Sequence, residues 1–205
     1  MYGLLHLGRL RKSEKVLIHS ATGGVGLAAI QIARMVGAEI FATVGTGSKK
    51  QFLTEHYRIP DDHIFNSRNT SFAQQILDAT GGYGIDVCLN SLVRELLKAS
   101  WSTMATNGRH IEIGRTDILD YGTLDLNVFK CNTTFSAFDF GVVADEHPEI
   151  PAQVMKEVMQ YHSEGHIAPL SPLYTYSAAD ITKAFEQFGM AIELARSWSA
   201  LITSR

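Results

Sequence analysis

The run Val16-Leu17-Ile18-His19-Ser20-Ala21-Thr22-Gly23-Gly24-Val25-Gly26 places an apolar stretch, a glycine-rich turn and the start of a helix-like segment in immediate succession. A helix N-terminus offers unpaired backbone N–H groups and the positive end of a dipole. This order of elements therefore makes a cradle for the pyrophosphate of a dinucleotide. Gly23 leaves the backbone open to the phosphates, with Gly24 and Val25 completing the turn, and Gly26 lets the helix approach the strand closely. Ala21 stands where the first glycine of G-x-G-x-x-G falls, so the reading rests on the strand–turn–helix context.

A second group of residues follows the next strand-like run. A NAD-binding chain places a carboxylate at this point, to hold the ribose hydroxyls. Here the sequence reads Gly45-Thr46-Gly47-Ser48-Lys49-Lys50. A hydroxyl and two ammonium groups suit the 2′-phosphate of NADPH, and cations in a helix's first turn otherwise oppose its dipole. Arg68, in Arg68-Asn69-Thr70-Ser71, is placed to meet a phosphate or stack on the adenine. Asn90-Ser91 and Gly114 end two further strands and are expected to face the nicotinamide; the plainer alternative is a cap at Asn90 and a turn at Gly114. Eight histidines are scattered, and none has zinc-like spacing with Cys88 or Cys131, so no metal site is expected. His19 reads as a strand residue with a satisfied hydrogen bond, and no G-x-S-x-G elbow is present.

The elements that must position these residues alternate. Strands are expected at Val16–Ser20, Glu39–Val44, His63–Phe65, Val87–Asn90, Arg109–Ile113 and Thr134–Phe138. Most are almost wholly apolar, as strands covered on both faces are. Helices are expected at Leu27–Val36, Ser48–Tyr57, Ser71–Ala79, Leu92–Met104, Pro151–Glu164 and Ala178–Phe188, with Ser48 and Ser71 as caps. The pattern predicts an α/β fold, a doubly wound parallel Rossmann sheet of about six strands with helices on both faces. Ligands of such sheets sit beyond the carboxyl ends of the strands, which is where the residues above lie.

The chain has 205 residues, 45% hydrophobic and 19% charged, enough to bury an ordinary core. Its net charge of −3 argues against nucleic acid as a partner. No apolar stretch approaches a membrane span, and the first residues have the wrong charge order for a secretory leader. Two cysteines make no disulfide framework, so a reducing, cytoplasmic setting is expected.

Five ordered blocks carry a resemblance. They are Val16–Gly26; Ala42-Thr43-Val44-Gly45 with Lys49; Asn66-Ser67-Arg68-Asn69-Thr70-Ser71-Phe72; Val87-Cys88-Leu89-Asn90-Ser91-Leu92; and Arg109-His110-Ile111-Glu112-Ile113-Gly114. Together they resemble the enoyl reductase domain of fungal highly reducing polyketide synthases and of animal fatty acid synthase. That domain is a zinc-free, quinone-reductase-like member of the medium-chain dehydrogenase/reductase superfamily. The resemblance implies NADPH-dependent reduction of an α,β-double bond in an acyl thioester on an acyl carrier protein. It implies cofactor contacts at Gly23, Gly24, Val25, Gly26, Lys49, Asn90, Ser91 and Gly114, beside those read above at Ser48, Lys50 and Arg68. Lys49 matches a lysine proposed as proton donor. Asn69 stands where the family carries an aspartate, the other proposed donor; an amide is no acid at neutral pH, which leaves Lys49 or water.

The match runs to about Phe188, giving an expected cofactor lobe over residues 1–188 and a divergent tail over 189–205. The family's GroES-like substrate lobe has no counterpart in the sequence. The leading expectation is therefore the NADPH-binding lobe of an enoyl reductase, incomplete alone. The alternatives are a non-catalytic dimerisation module or truncated gene product, and a stand-alone quinone or alkenal reductase. The family's lobe pairs across a sheet edge, which implies a homodimer through Thr134–Phe138.

Overall fold

A computed structural model describes residues 1–170 and 177–183. The chain divides into two compact units, Met1–Pro169 and Leu170–Arg205. In the second, the described part is a single 3-10 turn at Ala178–Asp180, running on helically through 181–183, with Lys183 bonded to Asp180 at 2.7 Å. The rest of the helix expected over Ala178–Phe188, and the tail at 189–205, lie outside the described residues.

Six parallel strands form the first unit's sheet: β1 Lys15–Ile18, β2 Glu39–Val44, β3 Ile64–Asn66, β4 Ile85–Asn90, β5 Met104–Glu112 and β6 Thr134–Ala137. Their order, β3-β2-β1-β4-β5-β6, reverses direction at β1 and β4, as in a doubly wound sheet. The expected α/β fold is the one observed. The central strands are apolar and covered on both faces: Val16, Leu17, Ile18, Phe41, Ile85, Val87 and Cys88 are fully buried. Asp86 is the charged exception on β4. It is satisfied by the Lys15 N–H at 2.7 Å and the Tyr83 hydroxyl at 2.8 Å.

The helices are α1 Gly24–Val36, α2 Gly47–Tyr57, α3 Ser71–Ala79, α4 Glu95–Trp101, α5 Thr116–Leu119, α6 Phe140–Glu146 and α7 Glu149–Ser163. Helix α1 stops at Gly37, whose φ of 81° is the left-handed cap that glycine adopts at least cost. On one side of the sheet Phe72 and Ile76 of α3 and Trp101 of α4 pack on Leu17, Phe41, Ile85, Cys88 and Met104. Burying an aromatic or leucine side chain in this way contributes about 2–3 kcal/mol. The Trp101 indole N–H meets the Asp125 carbonyl at 2.9 Å, so burial leaves no donor unpaired there.

Three expectations need correction. The helix expected over Leu92–Met104 spans only Glu95–Trp101, and Met104 instead opens β5, which runs through Asn107-Gly108 with a register irregularity opposite Ile85–Val87. From Ile85 to Val87 β4 advances two residues while β5 advances five, from Met104 to Arg109, and the irregularity absorbs the three extra residues, so a turn-like dipeptide sits inside a strand. Ser48 does not cap α2: the helix starts one residue earlier, and Thr46 Oγ1 accepts the Lys49 N–H at 3.3 Å. Ser71 does not cap α3: Asn69 Oδ1 accepts the Ser71 N–H at 3.0 Å, because an Asx side chain two residues upstream closes the same turn.

Candidate functional site

The glycine turn sits at the middle of the sheet's C-terminal rim. Ser20 leaves β1 with a φ of 51°, a conformation L residues avoid, and the Gly23 N–H closes the turn on Ser20 O at 2.9 Å. The Ala21 N–H is tied to Thr43 O of β2 at 3.1 Å. Gly23, Gly24 and Val25 then present the first turn of α1 to solvent, Val25 being 61% exposed. Gly26 is buried beneath them, and a Cβ on it would lie 2.6 Å from the Cα and carbonyl oxygen of Ala21. The helix meets the turn backbone to backbone, which holds its N-terminal N–H groups at the rim. An open helix N-terminus over a parallel sheet's rim fits a dinucleotide's phosphates.

The ends of β2 and β3 form a second corner. Arg68 reaches across from β3, and its Nε–H donates to Gly45 O at 2.7 Å. Thr46, Ser48 and Lys49 are exposed around it on the first turn of α2. Lys50 is held by Asp61 at 2.9 Å, an exposed pair of small energetic weight that an incoming phosphate can exchange. A cleft of about 550 Å³ opens here, lined by Gly45, Thr46, Lys50, Asp61 and Asn66 among others. Asn69 is exposed, and its side-chain oxygen is engaged in the α3 turn, with the Ser71 hydroxyl as a second donor.

The third corner joins β4 and β5. Ser91 Oγ lies 3.4 Å from Ser20 Oγ, which brings this strand end against the glycine turn. Asn90 is completely buried; its Nδ2 donates to Leu92 O at 2.8 Å and to Glu112 Oε2 at 2.5 Å. The Gly114 N–H donates to the other Glu112 oxygen at 2.5 Å. Burial pushes the Glu112 carboxyl up to about 7, against the pull of its hydrogen bonds. Glu112 received no separate role in the sequence reading. Its signal is a carboxylate set between two isoleucines, Ile111 and Ile113, at the end of β5.

Below the rim lies a closed polar network. His19 joins Thr43 Oγ1 and Ser100 Oγ, each at 2.8 Å, and Ser100 also meets Cys88 Sγ at 3.1 Å and His110 Nε2 at 3.4 Å. His19 has the satisfied hydrogen bonds expected, though it stands one residue past the end of β1. Burial drives both histidines down to about 3 and the Cys88 thiol up to about 12, so all three stay neutral near pH 7. The expected rim residues are therefore brought to three adjoining corners, with Ser91 bridging to the glycine turn.

A parallel sheet with an open helix N-terminus and a basic corner defines a dinucleotide-binding protein of the dehydrogenase type. The family model described as zinc-binding dehydrogenase matches residues 24–156, and the chain belongs to this family. More narrowly, it belongs with the nucleotide-binding subdomains of polyketide synthase enoyl reductases. It is 37% identical to the nucleotide-binding subdomain of the enoylreductase domain of PpsC from Mycobacterium tuberculosis, with a TM-score of 0.77, covering 82% of this chain and 93% of that one. It is also 37% identical to the CurK enoyl reductase, with a TM-score of 0.78, over 93% of this chain and 55% of that one. In sequence it is 51% identical over 196 residues to the reducing polyketide synthase BOA9 of Botryotinia fuckeliana (strain B05.10), over 96% of this chain. It spans only 8% of that synthase's length. Despite the family's name, no group of three or more His, Cys, Asp or Glu among the described residues fits a metal ion. Nor is any helix among them long and apolar enough to cross a membrane.

Proposed function

We propose that the chain binds NADPH and serves as the cofactor lobe of an enoyl reductase acting on an α,β-unsaturated acyl thioester carried on an acyl carrier protein. The observation that carries this reading is the open N-terminus of α1 at the rim, flanked by Arg68 and Lys49 where a NAD-binding chain has a carboxylate. The cofactor supplies a hydride for the β-carbon. The N–H groups of Gly24 to Gly26 hold the pyrophosphate, while Ser48, Lys49 and Arg68 hold the 2′-phosphate, with Lys50 joining once released from Asp61. Asn90, Ser91 and Gly114 shape the nicotinamide side. A Lys49 Nζ engaged on the 2′-phosphate lies at the other end of the cofactor from the nicotinamide, and Asn69 has no proton to give, so in this reading water supplies the proton for the α-carbon. We place this chemistry in the cytoplasm.

Fluorescence titration tests the reading directly. NADPH is expected to saturate the chain and to bind more tightly than NADH. A charge-assisted contact to phosphate contributes about 1.5–3 kcal/mol, so Arg68→Ala should weaken NADPH about ten- to a hundredfold and leave NADH nearly unchanged. Preference for NADH, or indifference of NADPH binding to both Lys49→Ala and Arg68→Ala, would remove the phosphate corner from the argument. Reduction of acyl thioesters by this chain alone should be very slow, since hydride transfer depends on holding both reactants in near-attack geometry.

We also propose a homodimer through β6. Among the described residues this strand forms one edge of the sheet, and Phe138 and Phe140 cluster beside it with Tyr2, with Phe140 38% exposed. An unpaired edge is a template for a second copy. Light scattering should give twice the monomer mass, and Ala137→Pro, which removes an outward-facing N–H because its neighbour Phe138 donates inward to Glu112 O, should return it to one.

A further inference from the structure

The strand register places a row of polar residues on one face of the rim. It pairs Asn90 with Glu112, and extending the β1 ladders by one residue sets His19 between Thr43 and Asn90. Glu112 is 3% exposed, and a buried carboxyl needs partners. It takes one from each neighbouring segment: Asn90 Nδ2 at the end of β4 and the Gly114 N–H just past β5. The fit is close, since a Cβ on Gly114 would come within 2.8 Å of Glu112 Oε1.

Asn90 carries the contact onward. Its Nδ2 also donates to Leu92 O, which fixes which way the amide points and leaves Asn90 Oδ1 buried without a partner. The loop it holds, residues 91–94, ends at Arg94 with φ 57° and ψ −126°, a conformation L residues avoid. Asp117 of α5 braces that residue from the other side, accepting the Arg94 N–H at 2.8 Å. The loop after β4 is thus gripped by Glu112 through Asn90 and by Asp117 directly.

We propose that Glu112 is a positioning residue of the cofactor site, a carboxylate clamp that sets the spacing of the β4 and β5 ends by accepting from Asn90 and Gly114. This rests on the NADPH reading above, in which those ends flank the nicotinamide. Only the ionised carboxylate offers acceptors alone to both donors; a proton on either oxygen sets a donor among donors. The other titratable groups acting on it are Asp117 from α5, whose charge raises its pKa, and Cys88 from β4, which stays a thiol. Its own strand contributes His110, which stays neutral. The clamp therefore loosens as the pH falls through about 7.

The test uses the 205-residue chain, with the Gly114 amide followed by heteronuclear NMR and NADPH affinity by fluorescence, from about pH 5.5 to 8.5. The Gly114 resonance should move with a midpoint near 7 and stop moving in Glu112→Gln. A glutamine accepts from only one of the two donors, so NADPH affinity at the alkaline end should drop about tenfold. The gap to wild type should close at the acid end, where wild type loosens too. Asn90→Asp, which sets carboxylate against carboxylate, should also weaken binding, and Asn90→Asp with Glu112→Gln should recover part of the loss. A purely structural role would lower the melting temperature but would produce neither the pH-dependent gap nor the recovery. A Gly114 resonance that does not titrate, or a Glu112→Gln chain with wild-type affinity and pH profile, overturns the clamp. If wild type binds no NADPH, the cofactor reading falls on its own, and the Gly114 resonance still decides whether the clamp exists.

Discussion

Gly26→Ala is expected to cost about 3 kcal/mol of folding stability, at the upper end for overpacking, because its methyl meets backbone rather than a movable side chain. The new carbon would lie 2.6–2.7 Å from Cα, C and O of Ala21. Relief requires α1 to move off the turn, and Leu27, Ala29, Ile30, Ile32 and Ala33 on that helix are buried in the core. Gly23→Ala is the contrasting case. Its φ of −77° suits any residue, and its Cβ would meet only the Ser20 carbonyl, at 3.3 Å. The methyl would instead stand in the open space over the helix N-terminus. Stability should therefore change by less than about 0.5 kcal/mol, as for a surface substitution, while NADPH affinity falls. Denaturant midpoints and fluorescence titrations on both variants separate the two glycines. Equal stability losses in the two variants would refute the distinction.

Acid is expected to destabilise the fold in a way that can be dissected. His19 and His110 have folded values near 3 against an ordinary 6.5, so below pH 6.5 the unfolded chain takes up protons that the folded chain refuses. The stability they permit is complete above pH 6.5 and is lost as the pH falls toward 3. At pH 5 the loss is about 2 kcal/mol for each histidine, from 1.36 kcal/mol per pKa unit. Glu112 works in the opposite direction. Its folded value near 7 lies above the ordinary 4.5, so the fold gains about 2 kcal/mol as the pH drops from 7.5 to 5. The net expectation for wild type is a loss of about 2 kcal/mol over that range, and about 4 kcal/mol for Glu112→Gln, where the opposing gain is gone. His110→Phe should lose almost nothing. Phenylalanine can keep the stack on Phe135 and the edge contact with Trp101, and it removes a buried Nδ1 that has no partner. Urea unfolding at the two pH values measures all three, and parallel losses in the three chains would exclude these groups as the cause.

Much of the site was legible because its signals are local. A glycine turn between an apolar run and a helix keeps its meaning whatever surrounds it, and α3 runs over the residues expected, Ser71–Ala79. Capping was less legible. Thr46 and Ser48 each carry a hydroxyl near the same helix start, and only the extended backbone at Thr46 selects it as the cap. The short elements α5, at Thr116–Leu119, and α6, at Phe140–Glu146, were not expected at all. One or two turns carry too few residues for a helical period to show.

The sequence by itself determined the class of fold, the order of its elements and the position of the glycine turn to which we assign a dinucleotide's phosphates. Each of these depends on neighbours in the chain: apolar runs, glycine spacing and the alternation of strand with helix. Only the tertiary structure decided which distant residues meet. It set Arg68 across Gly45, Ser91 against Ser20, and Asn90 onto Glu112, 22 positions further along the chain. Alternation along a strand tells which face a side chain takes, but the residue opposite it depends on strand order and register. Those arise from the packing of the whole sheet, and they bring the carboxylate at the end of β5 onto Asn90 at the end of β4.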